Sequence, residues 1–140
     1  MLRLAPFATG IGIVRMNYLA HLYLAEDSPE SLLGSILGDF VKGAIGNRYP
    51  SEIKRGIELH RKIDAYTDSH PLTRASRNLY SPARRRFAGI IVDLCYDHLL
   101  YRHWTAFSDL ILDRFISRVY DILMIHRAML PLRLKTMIPI

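Results

Sequence analysis

The sequence predicts an all-α fold of about six helices, on three observations. Apolar residues recur at spacings of three and four, helix-start signals punctuate the chain, and no segment alternates polar and apolar residues with period two. The 140 residues suffice for one domain with its own core, and a half-hydrophobic composition is globular rather than disordered.

The elements follow in order. Asn17 to about Glu26 forms the first helix. Ser28-Pro29-Glu30 is a start signal, with a capping hydroxyl, a proline in the first turn and an acid beside it. The second helix runs from Pro29 to about Lys42 and is apolar at Leu32, Leu33, Ile36, Leu37, Phe40 and Val41. Gly43, Gly46, Asn47 and Pro50 mark a loop, after which Ser51 caps a third helix reaching about Thr67. Pro71 opens a short fourth helix, Pro82 a long fifth reaching about Trp104, and Phe107 to Arg127 reads as a sixth. Pro131 and Pro139 break the last stretch, where no closing helix is expected. Residues 1–15 read as an N-terminal extension, an upstream-start artefact or weak targeting segment ahead of a natural start at Met16, and residues 16–140 as the single domain.

Composition excludes several classes. A single cysteine, Cys95, rules out an internal disulfide and a thiolate zinc site, and its apolar surroundings make it a small core residue. Nothing favours secretion, so a cytoplasmic location is expected. No apolar run approaches the roughly 18–20 residues of a membrane span. GxSxG, P-loop, HExxH and Rossmann glycine patterns are all absent, which removes the common serine hydrolase, NTPase, zincin and dehydrogenase readings. The net charge of +6 is moderate, but Arg74, Arg77, Arg84, Arg85 and Arg86 crowd one region. Such a patch suits nucleic acid, anionic lipid or an acidic protein, although on its own it reads as a solvated face.

The chemistry concentrates in HRKIDAYTDSH. Helical positions four apart share a face, so His60, Asp64 and Asp68 stack in a column, with His70 close behind. In VDLCYDHLL, Asp93 and Asp97 form a second column and His98 adjoins it. Asp39 ends an apolar run beside Gly38, and His21 lies in another apolar helix. Buried carboxylates and imidazoles are costly unless paired, and a divalent metal pairs them. Helix bundles present His and Asp at this spacing to a metal ion, whereas the bland alternatives are a His–Asp hydrogen bond, a satisfied core histidine and an Asp39–Lys42 pair. A nitrogen and oxygen donor set suits Mn²⁺, Mg²⁺ or Fe²⁺ better than structural zinc.

Four segments in order, MNYLAHLYLA, SLLGSILGDFVKG, GIELHRKIDAYTDSHP and GIIVDLCYDHLLYRHW, resemble the acyl carrier protein phosphodiesterases. The resemblance covers nearly everything after residue 15 and implies an all-α, HD-domain-like helical bundle related to metal phosphohydrolases. It matches Asp39 to the HD aspartate and His21 to the earlier lone histidine, while Gly38 stands where HD proteins usually carry histidine. His60 or His98 would then compensate. It also implies a chain shortened at its C-terminus relative to the family.

What the resemblance implies is hydrolysis of the phosphodiester between 4′-phosphopantetheine and a serine of holo-acyl carrier protein. The expected metal ligands are His21, Asp39, His60, Asp64 and Asp97, with Mn²⁺ as the expected ion. His60 or His98 would move protons beside Asp39, and Arg61 would neutralise phosphate charge. Asp68, His70, Arg74, Arg77 and Arg84 to Arg86 fall on the substrate side, where the arginines would steer an acidic carrier. The alternatives are an HD-like phosphohydrolase of a nucleotide or other phosphodiester, and a degenerate carrier-binding module without catalysis. No nucleic-acid partner is expected.

Overall fold

The computed structural model describes residues 18–138. Among these, the elements are eight α-helices joined by turns and short 3₁₀ segments, with no strand. They are α1 (Tyr18–Leu24), α2 (Pro29–Leu37), α3 (Ser51–Ser69), α4 (Pro71–Asn78), α5 (Ala88–Arg102), α6 (Trp104–Phe107), α7 (Leu112–Ile125) and α8 (Leu132–Met137). The all-α expectation holds, and the extension expected over residues 1–15 lies outside the described residues.

The α2 helix is the centre of the fold. Its cap is the expected one, with Ser28 Oγ accepting from Ser31 N–H at 3.1 Å and Pro29 in the first turn. Every residue from Ser31 to Leu37 is buried, as a helix apolar on all sides requires. Leu22 of α1, Ile53 and Ile57 of α3, Trp104, and Phe115, Val119, Ile122 and Leu123 of α7 complete the core around it.

The most extensive packing joins α2 to α3, and two glycines make it close. A Cβ on Gly34 would lie 2.5 Å from the Ile53 carbonyl oxygen and 2.7 Å from Gly56 Cα, both backbone atoms. The two helices therefore cross nearly backbone to backbone, and His60, one turn beyond Gly56, is driven against the end of α2.

Several boundaries differ from the sequence reading. The α2 helix stops at Leu37 rather than Lys42, because Asp39 N–H bonds Ile36 O and Phe40 N–H bonds Leu37 O, three residues back, which tightens the last turn. Helix α5 starts at Ala88, not Pro82. The exposed Arg84, Arg85 and Arg86 offer no apolar face to bury, and Arg85–Phe87 makes only a 3₁₀ turn. Cys95 is exposed rather than in the core, since α5 buries only Ala88, Val92 and Asp93. A helix, α8, does form in the last described stretch: Pro131 stands at its start instead of breaking it, and Leu130, Leu134 and Ile138, four apart, are all buried. No helix of the described residues is long and apolar enough to cross a membrane.

Candidate metal centre

Four side chains from α1, the turn after α2, and α3 converge. His21 of α1 is 1% exposed, and its Nε2 lies 3.0 Å from Asp64 Oδ1. His60 of α3 is equally buried, and its ring stacks on His21 with centroids 3.7 Å apart. His60 Nε2 faces two carboxylates, Asp39 Oδ1 at 3.3 Å and Asp64 Oδ2 at 3.4 Å. Asp39 owes its place to the tightened turn after Leu37, which is why an early end to α2 matters for the site.

The other nitrogen of His60 fixes the tautomer. Nδ1 is 2.7 Å from the Ser35 carbonyl oxygen, which can only accept, so Nδ1 carries a hydrogen. Ser35 also donates from Oγ to the His21 carbonyl at 3.3 Å. One buried serine thus ties both imidazoles to α2. The sequence reading did not single it out; its signal was a polar residue inside the apolar run LLGSILG, which could be satisfied only by partners outside its helix.

Gly38, where the resemblance led to the expectation of a histidine, leaves no room for a side chain. A Cβ there would lie 2.2 Å from His60 Cγ and 2.5 Å from His60 Cδ2. The His60 ring occupies the space that a side chain at position 38 would need, so an imidazole reaches this spot from α3 instead of α2.

The charges are tightly coupled. Burial works against a charged His60, but Asp39 and Asp64 outweigh it and raise its pKa to about 9. Burial alone would raise the Asp64 carboxyl, yet His21 and His60 hold it well below the usual carboxylate range. Tyr18 is pushed up by burial and then by the Asp39 carboxylate beside it.

The cluster fits a cation. If His60 Nε2 bears no proton, its lone pair points toward two carboxylate oxygens, an arrangement that a positive ion relieves. Three buried atoms, His21 Nδ1, His60 Nε2 and Asp39 Oδ2, have no hydrogen-bond partner. Ligand atoms of His21, His60 and Asp64 all lie within 4.8 Å of one another. Together they form a site able to hold a divalent metal, with Nδ1–H of His60 anchored as metal-binding histidines usually are.

The remaining expected residues lie elsewhere. Asp97 does not share the cluster's contacts; both its oxygens accept from the backbone of α1, Oδ2 from Leu19 N–H at 3.1 Å and Oδ1 from Ala20 N–H at 2.9 Å. Burial pushes its carboxyl up to about 6, with those two amides drawing it back. His98 is exposed on α5. Asp68 leaves the column to pair with Arg77 of α4, and His70 caps α4 by accepting from Leu72 N–H. Arg61 donates to the Val41 carbonyl at 3.0 Å, in the loop that follows Asp39. Arg74, Arg84, Arg85 and Arg86 are exposed, Arg86 lying over the Phe87 ring.

Two stacked imidazoles flanked by carboxylates among helices are a donor set of the kind with which helical bundles can hold a metal. Residues 16–140 match the acyl carrier protein phosphodiesterase family, and the chain belongs to it. Acyl carrier protein phosphodiesterases of Yersinia pestis and Salmonella agona (strain SL483) are 47% and 45% identical to it over 89 and 93 residues. Those alignments cover 64% and 66% of this chain and 46% and 48% of the relatives. A Salmonella dublin relative of the same description is 44% identical over 103 residues, 73% of this chain and 53% of its own. The chain spans about half the length of the relatives it matches. No solved structure matches it.

Proposed function

We propose that this chain is a metal-dependent phosphodiesterase that hydrolyses the bond between 4′-phosphopantetheine and a serine of holo-acyl carrier protein, releasing apo-carrier and 4′-phosphopantetheine. The observation that carries the reading is the buried cluster of His21, Asp39, His60 and Asp64 in a chain of this family. Mn²⁺ is the proposed ion, with Mg²⁺ or Fe²⁺ as the other candidates for an imidazole and carboxylate site. When bound, such an ion lowers the pKa of water and withdraws charge from a phosphoryl oxygen.

The chain's own residues do the rest. His21, Asp39, His60 and Asp64 are the proposed ligands. Ser35 holds His60 Nδ1–H so that Nε2 faces the ion, and Asp39 and Asp64 offset its charge. Asp64, the most exposed of the four at 37%, is the ligand that solvent reaches. Arg61, near the mouth of the Asp39 turn, neutralises phosphate charge if it exchanges the Val41 carbonyl for substrate. The exposed Arg74, Arg84, Arg85 and Arg86 steer the acidic carrier. With such a substrate the enzyme works in the cytoplasm.

The test is the intact mass of holo-carrier incubated with the protein, with and without Mn²⁺, alongside Asp39→Ala. Loss of the 4′-phosphopantetheine mass only with Mn²⁺ and intact Asp39 is expected. Turnover of nucleotides but not holo-carrier would favour a different phosphohydrolase, and carrier binding without any mass loss would favour a non-catalytic module.

A further inference from the structure

Asp97 stands on α5, yet its hydrogen bonds serve α1. The Leu19 and Ala20 N–H groups of α1 donate to it, at 3.1 and 2.9 Å. A carboxylate 77 residues away in sequence therefore holds the backbone of α1 directly before His21. The next residue is His21. With seven residues, α1 is too short to hold a helical shape unaided, so the direction of His21 depends on what pins its ends and faces. Ser35 Oγ holds the His21 carbonyl from α2, and Asp97 holds the two amides before it from α5.

We propose that Asp97 is a positioning residue, which fixes the Leu19–Ala20 backbone of α1 and so keeps the His21 imidazole in register with His60 and Asp64. The proposal rests on the metal reading above and assigns Asp97 no ligand role. The geometry favours this division: each Asp97 oxygen already has a backbone donor, whereas buried nitrogens of His21 and His60 have none.

A double-mutant cycle tests it on the full chain, with Mn²⁺ binding followed by loss of the free-ion electron paramagnetic resonance signal. Asp97→Ala should weaken Mn²⁺ binding about tenfold, the size usual for groups that orient a ligand from behind. In a His21→Ala background the same change should cost less than about twofold, because its effect passes through His21. A further tenfold loss in the double variant would overturn the proposal and make Asp97 a ligand. A metal-free measurement keeps this distinct from failure of the metal reading. Asp97→Ala should speed amide hydrogen exchange at Leu19, Ala20 and His21 and move the His21 ring resonances, while α7 stays protected. Parental exchange at those three amides would overturn the proposal whatever Mn²⁺ does. Should Asp97→Ala not fold, Asp97→Asn, which keeps the shape and one acceptor oxygen, carries the same comparison. It should weaken Mn²⁺ binding and speed the same exchange by smaller factors, and parental values of both would overturn the proposal.

Discussion

Gly38→Ala separates two forces of opposite sign. Gly38 has φ −52° and ψ −33°, an ordinary right-handed conformation, so alanine meets no backbone strain there. The lower backbone entropy of the unfolded chain favours alanine by about 0.4–1 kcal/mol where its conformation is allowed. Against this, the new Cβ would sit 2.2 Å from His60 Cγ, 2.5 Å from Cδ2 and 2.7 Å from Cβ. The ring would have to retreat by about 1 Å or more to reach normal carbon–carbon contact. It cannot do so freely, since it is 1% exposed, stacked on His21 and bonded to the Ser35 carbonyl at 2.7 Å. Overpacking a tight core costs about 1–3 kcal/mol, and stretching a buried imidazole–carbonyl hydrogen bond roughly 1–2 kcal/mol more. The net expectation is a loss of about 1–4 kcal/mol, with Mn²⁺ affinity falling about tenfold or more as His60 Nε2 leaves its place. Urea unfolding of the metal-free protein and Mn²⁺ calorimetry measure the two effects. If Gly38→Ala is as stable as the parent or more so, and binds Mn²⁺ within twofold of it, the steric reasoning fails and His60 does not depend on a vacancy at position 38.

His60→Ala and Asp64→Ala should each weaken Mn²⁺ binding by at least tenfold in the same calorimetry, and parental affinity in both would make the pair structural. The pH dependence has a definite sign. His60 is raised from 6.5 to about 9, so in metal-free protein its imidazolium contacts contribute fully below pH 6.5 and are lost as pH rises through about 9. Asp64 is depressed, so its contribution is present above its ordinary value near 3.8 and lost as pH falls. Because a metal must displace the Nε2 proton, Mn²⁺ affinity should rise with pH up to about 9, and a flat profile from pH 7 to 9 refutes that competition. Replacing Arg84, Arg85 and Arg86 together by glutamate should raise KM for holo-carrier several-fold at low salt with little change in kcat, and the effect should shrink as the Debye length falls below about 8 Å. An unchanged KM at low salt would leave these arginines a solvated face.

The sequence by itself determined what depends on near neighbours. Helical periodicity gave the all-α class, Ser28 and Pro29 gave the start of α2, and the four-residue spacing put His60 and Asp64 on one face, because these follow from repeat geometry and local hydrogen bonding. The family segments pointed to Asp39 and His21, both of which meet the His60–Asp64 face. Tertiary structure alone decided how far each column extends. Asp68 has the same spacing from Asp64 as Asp64 has from His60, yet Arg77 of α4 claims it. The spacing of Asp97 does not show that the backbone of α1 lies against it and donates to both its oxygens. The vacancy at Gly38 and the imidazole that fills it belong to helices separated by a loop and meet only because Gly34 and Gly56 let α2 and α3 cross so closely. A periodic pattern tells which residues share a face; which of them converge in one cluster depends on what else is packed against that face, and that is fixed by contacts distant in sequence.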